Sequence, residues 1–448
     1  MASQVKVRFF TRDEDRELHC PGNPVFVPVS LKRYGLSEIV NHLVGLEKPV
    51  PFDFLIDGTL LKGSVEEYLV ANGLSSEHSL DIEYTRAVLP PQFLASFNND
   101  DWISAIDSVG SMSLAGPDGE VQTAPKILTG SYDGVVRVYN ASGKVETQLS
   151  GHSAAIKDVK FISPSRFVTA GMDRSLRLWK AGVVGNADLD KETQNGRTNA
   201  ILEYHKDVVA ALAVNKTRIL SASYDHTVAY WSTVAKEMQT TQPLEQTAQN
   251  NLSSASRKRM KLAVGDATIK RKSPLAILDG HSGPVEAVQF DKDDTVAYSA
   301  SQDHTVRTWD LVTARSVDTR QTNFALLSLA VLSRIGLLAT GSAARHINLH
   351  DPRADKVTST QLVGHTNFVV SLATTDNEYT LVSGSHDGTA KIWDVRANKS
   401  IYTIERESGP GSKVLAVDWN SEIGLLSGGT DKKLQINELN AQGAKLTN

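Results

Sequence analysis

The sequence predicts a mainly β protein, in which a small α+β domain precedes a closed ring of seven β-sheet blades. A block made of a small-residue strand, an Asp-containing turn and a second strand recurs from about residue 95, mostly at a spacing near 40–44 residues. A period of about 40–45 residues is typical of a β-propeller. The first ninety residues lack this block and combine short strands with one amphipathic helix. We therefore expect two domains, over 1–87 and 88–448.

The composition is that of a globular protein without a general affinity for nucleic acid. Hydrophobic residues make up 40% of the chain and charged residues 22%, which excludes a mainly disordered chain. Lys and Arg number 47 against 51 for Asp and Glu, so the net charge is −4. The single cysteine, Cys20, cannot form an internal disulfide, and the N-terminus has no signal-peptide core. We expect a soluble intracellular protein.

The first domain is predicted to have the order strand, strand, helix, strand, strand, with a short helical turn before the last strand. The segments are, in order, VKVRFF (5–10), VFVPV (25–29), LSEIVNHLVGL (36–46), FDFLIDGTLL (52–61), VEEYLVANG (65–73) and LDIEY (80–84). This order resembles that of ubiquitin. Because Thr85-Arg86-Ala87 follows the last strand, with no Gly-Gly pair, we expect a ubiquitin-like docking module rather than a conjugated tag.

Four copies of the repeat carry a histidine before one strand and a tryptophan 26–28 positions later. We expect the histidine, a strand Ser or Thr, the turn aspartate and the tryptophan to hydrogen-bond within each blade, because buried polar groups need partners. A catalytic triad is the alternative interpretation, but repetition in blade after blade favours a structural role. The expected blade-locking residues are His152, Asp173, Trp179, His205, Asp225, Trp231, His281, Asp303, Trp309, His365, Asp387 and Trp393.

Three weaker copies complete the ring, and the whole pattern resembles the WD40 family over roughly residues 95–440. The weaker copies are TGSYDGVVRVY (129–139), SGGTDKKLQIN (427–437) and TGSAARHINLH (340–350), the last with Ala-Arg near Arg345 in place of the turn aspartate. The resemblance implies a seven-bladed WD40 β-propeller. Such a ring closes by pairing its first strand into its last blade, and residues 89–97 are expected to supply that strand.

Two longer segments interrupt the repeats, at about 182–200 and 235–274. The second is polar and contains two basic clusters, so we expect a disordered insertion that serves nuclear import or RNA contact. A merely solvated loop is the alternative. The basic residues are Arg257, Lys258, Arg259, Lys261, Lys270, Arg271 and Lys272.

The two domains together resemble one family of eukaryotic ribosome-assembly factors, that of WD-repeat protein twelve and its fungal counterpart, with Notchless as a cousin. The closest stretches are SLKRYGLSEIVNHL (30–43), PVPFDFLIDG (49–58), GLSSE (73–77), LDIEYTRAVLPP (80–91) and SQDHTVRTWDLVTAR (301–315). The resemblance implies a scaffold in the maturation of the large-subunit precursor, the pre-60S particle, and in its rRNA processing. In that family the propeller binds a block-of-proliferation-type WD protein, which holds pescadillo.

The resemblance also implies a role for the first domain, which in this family engages the AAA ATPase midasin at a metal-ion-dependent adhesion site. A hard cation such as Mg²⁺ with an open position is completed by a carboxylate oxygen. We carry this role over to Glu77 in the GLSSE loop, with Asp57, Glu66 and Glu67 as further candidates. ATP-driven force through this contact would release the complex from the precursor.

No enzyme is expected, because the chain lacks the phosphate-loop, HExxH, G-x-S-x-G and dinucleotide-binding motifs. We expect no cofactor, no metal held by this chain alone and no membrane contact, with residence in the nucleus, nucleolus and nucleoplasm. Direct RNA contact stays open. The alternative function is a substrate-recognition propeller of a ubiquitin ligase, and a hydrolytic propeller is a third, weaker one.

Overall fold

The computed structural model describes residues 4–12, 16–45, 49–61, 63–75, 79–87, 90–116, 119–181, 196–241, 269–354, 360–377, 379–396, 399–409 and 411–438. The chain divides into two compact units, and the division falls between Pro90 and Pro91. One unit consists mainly of the residues up to Pro90, together with Asp394–Lys399. The other consists of Pro91–Trp393 and Ser400–Glu438.

The first unit contains a five-stranded sheet with one main helix. Its elements are β1 (Gln4–Phe10), β2 (Val25–Pro28), α1 (Arg33–Val44), β3 (Phe52–Ile56), β4 (Thr59–Leu60), α2 (Val65–Ala71) and β5 (Ser79–Arg86), with a short 3₁₀ turn at Arg16–Leu18. The strand order is β2-β1-β5-β3-β4. The pair β1 and β5 is parallel, whereas the other neighbours are antiparallel. This is the predicted ubiquitin-like domain.

Alternation along β1 explains which face of the sheet is buried. Val5, Val7 and Phe9 point into the core, and the residues between them face outward. Leu36 and Val40 of α1 complete this core from the other side. The sheet and helix therefore bury one shared apolar layer.

Helix α1 begins at Arg33, before the predicted start at Leu36, and Ser37 lies within it. The Ser37 hydroxyl donates to the carbonyl of Val50 at 3.2 Å and accepts from the amide of Phe52 at 3.2 Å. Ser37 therefore fastens the helix to the chain that leads into β3. Sequence reasoning placed the start too late because the apolar residues at helical spacing begin only at Leu36.

The second unit is built, over the described residues, from seven four- to six-stranded sheets, which are the blades. Blade one consists of β7 (Ile103–Val109), β10 (Lys126–Ser131), β11 (Val135–Asn140) and β12 (Val145–Ser150). Blade two contains β13 (Ile156–Ser163), β14 (Arg166–Gly171), β15 (Ser175–Lys180) and β16 (Arg197–Glu203). Blade three consists of β17 (Val209–Val214), β18 (Arg218–Ser223), β19 (Thr227–Ser232) and β22 (Ala276–Asp279). A hairpin of β8 (Met112–Gly116) and β9 (Gly119–Thr123) interrupts blade one and was not predicted.

Blades four to seven follow the same plan. Blade four consists of β23 (Val285–Phe290), β24 (Val296–Ser301), β25 (Thr305–Asp310) and β26 (Arg315–Gln321), and blade five of β27 (Leu326–Leu332), β28 (Leu337–Ser342), β29 (His346–His350) and β30 (Thr360–Val363). Blade six consists of β31 (Val369–Thr374), β32 (Thr380–Ser385), β33 (Thr389–Asp394) and β34 (Lys399–Glu405). Blade seven consists of β35 (Val414–Asn420), β36 (Gly424–Gly429), β37 (Lys433–Glu438) and β6 (Gln92–Asn98).

The first strands of successive blades contact one another around a closed ring, and the ring ends where β35 meets β7. Strand β6 closes it by pairing antiparallel with β37, in a register that runs from Lys433↔Asn98 to Glu438↔Gln92. The N-terminal strand of the unit thus covers the edge of blade seven, which leaves the ring without a break. The predicted seven-bladed WD40 fold is confirmed.

The insertion after β19 is ordered at both ends, which differs from the disorder predicted for all of 235–274. A 3₁₀ turn (Ala235–Glu237) leads into β20 (Thr240–Thr241), and the chain returns as β21 (Arg271–Lys272). These two strands pair with each other, and β21 also pairs in parallel with β16, so blade two has six strands. The ends are ordered because they pair with an otherwise open sheet edge. Residues 242–268 lie outside the described part of the chain.

Candidate functional sites

The structure brings the twelve expected blade-locking residues together as four similar hydrogen-bonded sets. In blade two, His152 Nδ1 lies 2.9 Å from Asp173 Oδ2, and its Nε2 lies 2.7 Å from Thr169 Oγ1. Trp179 Nε1 donates to the same Thr169 hydroxyl at 2.8 Å. The sets in blades three, four and six repeat this geometry around Ser221, Ser299 and Ser383.

One assignment of protons satisfies every group in such a set. The tryptophan N–H donates to the hydroxyl oxygen, the hydroxyl O–H donates to Nε2 of a neutral histidine, and Nδ1–H donates to the aspartate. Burial lowers the pKa of His281, which its partner Asp303 only partly offsets, and this favours the neutral ring. The His281 side chain is 1% exposed and Trp309 is fully buried. A substrate cannot reach these groups, so their chemistry is structural.

The turn aspartates of the four sets are strongly acidic. Burial by itself would raise the pKa of each carboxyl group. The histidine, the hydroxyl two residues later and a backbone amide outweigh burial, so each pKa lies well below its usual range. Each aspartate is therefore an ionised acceptor that joins the turn to the preceding loop. The four residues are Asp173, Asp225, Asp303 and Asp387.

Blade five keeps its turn without an aspartate. Ala344 occupies the aspartate position, and the next residue, Arg345, has the left-handed φ of 70° that Arg174, at 66°, has in blade two. The Ser342 hydroxyl accepts from the Ala344 amide and donates to the His346 carbonyl at 2.9 Å. Ser223, Ser301 and Ser385 make the same bond to the turn amide in blades three, four and six, so blade five keeps this hydrogen bond although its carboxylate is absent.

Blade seven contains a lock that the sequence reasoning missed. It has no histidine of the repeat, and Arg406 instead forms an ion pair with the turn aspartate, Asp431. Its Nη1 donates to Ser427 Oγ at 2.7 Å, which is the strand hydroxyl of this blade. The available signal was the position of Arg406 before the repeat that contains Asp431, where the other four locks have a histidine.

The two basic clusters of the insertion fall into different surroundings. Arg257, Lys258, Arg259 and Lys261 lie outside the described residues. Lys272 is buried, and its Nζ donates to the Met238 carbonyl and to Thr240 Oγ1, both at 2.9 Å. Arg271 forms an ion pair with Glu203 of β16. Lys270 is exposed, so of the second cluster only this side chain faces solvent freely.

Glu77 also lies outside the described residues, but the strand register fixes the end of the sheet to which its loop leads. Residue 79 begins β5 and is in register with Lys6 near the start of β1. The exposed Asp57 follows the end of β3, which is antiparallel to β5. Strand β2 ends beside Gln4 at this same end.

The remaining acidic candidates lie at that end too. The amide of Glu66 donates to the carbonyl of Val29, just after β2, and Ser64 caps α2 by accepting from the amide of Glu67. Both glutamate side chains are exposed. Asp57, Glu66 and Glu67 thus form an acidic rim around the strand end to which the GLSSE loop leads.

A charged group on the first strands joins blades seven, one, two and three around the central channel. Lys160 Nζ donates to Asp107 Oδ1 at 2.9 Å, and the amide of Leu212 donates to Asp158 Oδ2 at 2.6 Å. Ser108 Oγ donates to Asp418 Oδ2 at 2.5 Å. Burial raises the pKa of Asp158 and of Asp418 to about 6, although Lys160 opposes the shift.

Among the described residues, no cluster of histidine, cysteine and acidic side chains has an arrangement that would hold a metal ion. In that part of the chain no helix has both the length and the apolar character needed to cross a membrane.

Comparison with known proteins places both units in described families. The model of the NLE (NUC135) domain matches residues 5–69. The model of the WD domain, G-beta repeat, matches residues 143–180, 272–310 and 356–394. The expected combination of a ubiquitin-like domain and a WD40 propeller is thus confirmed.

Curated relatives match almost from end to end. Ribosome biogenesis protein YTM1 of Scheffersomyces stipitis is 57% identical, over 97% of this chain and 98% of its own. The proteins of the same name from Vanderwaltozyma polyspora and Saccharomyces cerevisiae S288c are 56% and 54% identical, and each match covers at least 97% of both chains. The chain therefore belongs to the family of ribosome biogenesis protein YTM1, the fungal counterpart of WD-repeat protein twelve, whose members are ribosome biogenesis factors with WD40 repeats.

Proposed function

We propose that the protein is a non-enzymatic scaffold in the maturation of the large ribosomal subunit precursor. The observation that carries this proposal is the identity of 54–57% to ribosome biogenesis proteins over nearly the whole chain, both units included. Burial of the four His–Asp–Ser or His–Asp–Thr sets supports a binding rather than a catalytic propeller. The name of the relatives favours this function over a substrate-recognition propeller of a ubiquitin ligase.

In this proposal the propeller binds a second WD-repeat assembly factor of the block-of-proliferation type, which in turn holds pescadillo. The complex acts in the nucleus, in the nucleolus and nucleoplasm. The closed ring suits such a role, because it holds seven blades in a rigid arrangement and leaves only short strand edges at its outside. The basic residues of the insertion would direct import or touch RNA phosphates.

The ubiquitin-like domain would dock on the metal site of midasin through Glu77. A loop at the end of a sheet can reach into a recessed metal site without a clash from the rest of the domain. The acidic rim of Asp57, Glu66 and Glu67 supports this end as the docking end, since a negative rim attracts a bound Mg²⁺. ATP-driven force through the contact would then release the complex.

Pull-down of the full chain by the metal-binding domain of midasin tests this contact. The wild type should bind in Mg²⁺ and not in EDTA, and Glu77→Ala should bind at least tenfold more weakly. Glu38→Ala, an exposed acid on α1, is the matched control and should bind like the wild type. Metal-independent binding, or full binding by Glu77→Ala, would refute the docking mechanism. If only Asp57→Ala lost binding, Asp57 would be the residue that contacts the metal site.

Copurification from cells tests the scaffold itself. The tagged protein should bring down large-subunit proteins and their precursor rRNA, together with the second WD-repeat factor. Recovery of cullin or proteasome subunits without pre-ribosomal RNA would replace the scaffold with the ubiquitin-ligase function.

A further inference from the structure

A cavity of about 540 Å³ opens at one end of the central channel, within the propeller unit. Blades one to seven all contribute to the wall of this axial cavity. The lining residues that matter here are Trp102, Tyr132, Lys157, Glu286, Phe368 and Lys413. Deeper in the ring the space narrows to about 130 Å³, lined by first-strand residues that include Asp158 and Lys160. A ligand would thus insert into the cavity rather than pass through the ring.

Two pairs of aromatic side chains in the axial cavity come from blades one and six, and Tyr224 of blade three also lines it. Trp102 and Tyr132 of blade one pack edge to face, with ring centroids 5.4 Å apart. Phe368 and His386 of blade six pack with centroids 6.1 Å apart. Trp102 and Phe368 are each 43% exposed, so both rings offer apolar surface in the cavity that a partner could cover.

The two lysines of the axial cavity lie on either side of blade one, which carries Trp102 and Tyr132. Lys157 belongs to blade two and Lys413 precedes the first strand of blade seven, and the described residues provide no carboxylate partner for either ammonium group. Burial lowers the pKa of His386, and the charges of Lys413 and Lys157 lower it further, so both lysines act on this ring. Glu286 is already engaged, since it accepts from Tyr224 at 2.9 Å and from Gln302 at 2.5 Å.

We propose that the axial cavity binds a partner-protein segment that presents a carboxylate beside an aromatic or aliphatic side chain. The carboxylate would meet Lys413 and Lys157, and the apolar side chain would pack on Trp102 or Phe368. Unpaired lysines beside exposed rings are complementary to such a segment, because ring contacts supply the apolar area and the charges fix its orientation. This site is separate from the Glu77 contact and does not depend on it.

A protein segment fits the cavity better than a nucleic acid. Backbone phosphates repeat along a strand, and their binding needs several cations in succession. Here Glu286 lies in the cavity wall, and Asp207, near Tyr224, is exposed. Both would repel a phosphate chain, whereas a single carboxylate can stay on the lysine side.

Peptides selected from a phage-displayed random library against the full chain test this proposal. The selected peptides should share an acidic residue next to an apolar one. By fluorescence anisotropy they should bind Lys157→Gln/Lys413→Gln at least tenfold more weakly, and Trp102→Ala likewise. The matched control is Lys292→Gln, at an exposed lysine in the turn between β23 and β24, which should bind like the wild type. Replacing the acidic residue of the peptide by its amide should cause the same loss.

A second readout separates a contact from a general structural effect. A carboxylate bound beside His386 should raise the pKa of that ring, as followed by NMR titration of its imidazole, and the amide peptide should not. The proposal is overturned if selection enriches no acidic–apolar sequence, or if the double variant binds the peptides as tightly as the wild type. Tight binding of an RNA oligonucleotide that Lys157→Gln/Lys413→Gln abolishes would assign the cavity to nucleic acid instead.

Discussion

Arg406 and Asp431 form a two-pronged ion pair inside blade seven, with Nη2–Oδ1 at 2.6 Å and Nε–Oδ2 at 3.0 Å. The side chains are 2% and 4% exposed. The same guanidinium also donates to the strand hydroxyl of Ser427. Arg406 thus joins the turn aspartate to the strand hydroxyl, which is the task of histidine in four other blades.

Arg406→Ala should destabilise the propeller strongly. Burial would raise the pKa of Asp431, and the hydrogen bonds and charge of Arg406 hold it below its usual value. Without the arginine a buried carboxylate is left unpaired, which typically costs about 3–5 kcal/mol. Urea unfolding followed by circular dichroism measures this cost. The control Arg218→Ala removes a more exposed pair with Glu237 and should cost less than about 1 kcal/mol. Equal midpoints for both variants would contradict the role of Arg406.

Trp393 should matter more for its bulk than for its hydrogen bond. The side chain is fully buried, and its Nε1 donates to Ser383 Oγ at 2.7 Å. Trp393→Ala should cost about 3–5 kcal/mol through the cavity it leaves. Trp393→Phe should cost less, because the phenyl ring fills part of that cavity, whereas the bond between Ser383 and His365 remains in both variants. Differential scanning calorimetry can rank the two variants, and an unchanged transition for Trp393→Ala would refute the lock.

The locks predict a loss of stability in acid. The folded pKa of Asp173 is depressed, so its contribution is complete above the unfolded pKa of about 3.9 and is lost as the pH falls below it. The folded pKa of His281 is lowered too, so the unfolded state binds a proton more readily than the folded state does. The free energy of unfolding therefore falls as the pH drops below the unfolded pKa of about 6.5. Unfolding free energies between pH 7 and 3 test this order. Asp173→Asn should flatten the slope below pH 4 by up to about 1.4 kcal/mol per pH unit, and an unchanged slope would exclude the lock as its source.

The two basic clusters should separate by their effects. Replacement of Arg257, Lys258, Arg259 and Lys261 by Ala should leave the unfolding midpoint unchanged and move a fluorescent fusion toward the cytoplasm. Lys272→Ala should instead lower the midpoint, because the buried ammonium group holds the carbonyl of Met238 and Thr240 Oγ1. Lys270→Ala serves as the exposed control. If the first variant stayed in the nucleus, the import role would be wrong and the first cluster would be only part of a solvated loop.

The sequence predicts the fold well because each feature of a WD repeat is local. The Asp57-Gly58 hairpin has φ values of 51° and 75°, as an Asp-Gly turn requires. The His, Asp and Trp of one blade likewise come from a single repeat. What sequence reasoning missed is either a substitution within a lock, as at Arg406, or pairing between distant segments, as between β21 and β16. The axial cavity belongs to the second kind, since neighbouring residues in it come from different blades.

Asp418 provides a prediction of the opposite sign to that of the locks. Burial first and then the neighbouring Asp107 raise its pKa to about 6, so the folded state holds the proton more tightly than the unfolded state does. Folding is therefore disfavoured progressively as the pH rises from about 4 to 6, and the penalty is complete above that range. Asp418→Asn removes the charge and retains a partner for the Ser108 hydroxyl, which lies 2.5 Å from the carboxylate.

Asp418→Asn should therefore be more stable than the wild type at pH 7.5 and equal to it, or slightly less stable, at pH 4.5. The full shift corresponds to about 3 kcal/mol, but Lys160 is 25% exposed, so water in the channel screens the charges and a gain of about 1 kcal/mol is expected. Urea unfolding at the two pH values measures the difference. Asp293→Asn, at an exposed turn, should show no such dependence. A variant that is destabilised equally at both pH values would show instead that the Asp418 carboxylate supports the contact between blades seven and one in its ionised form.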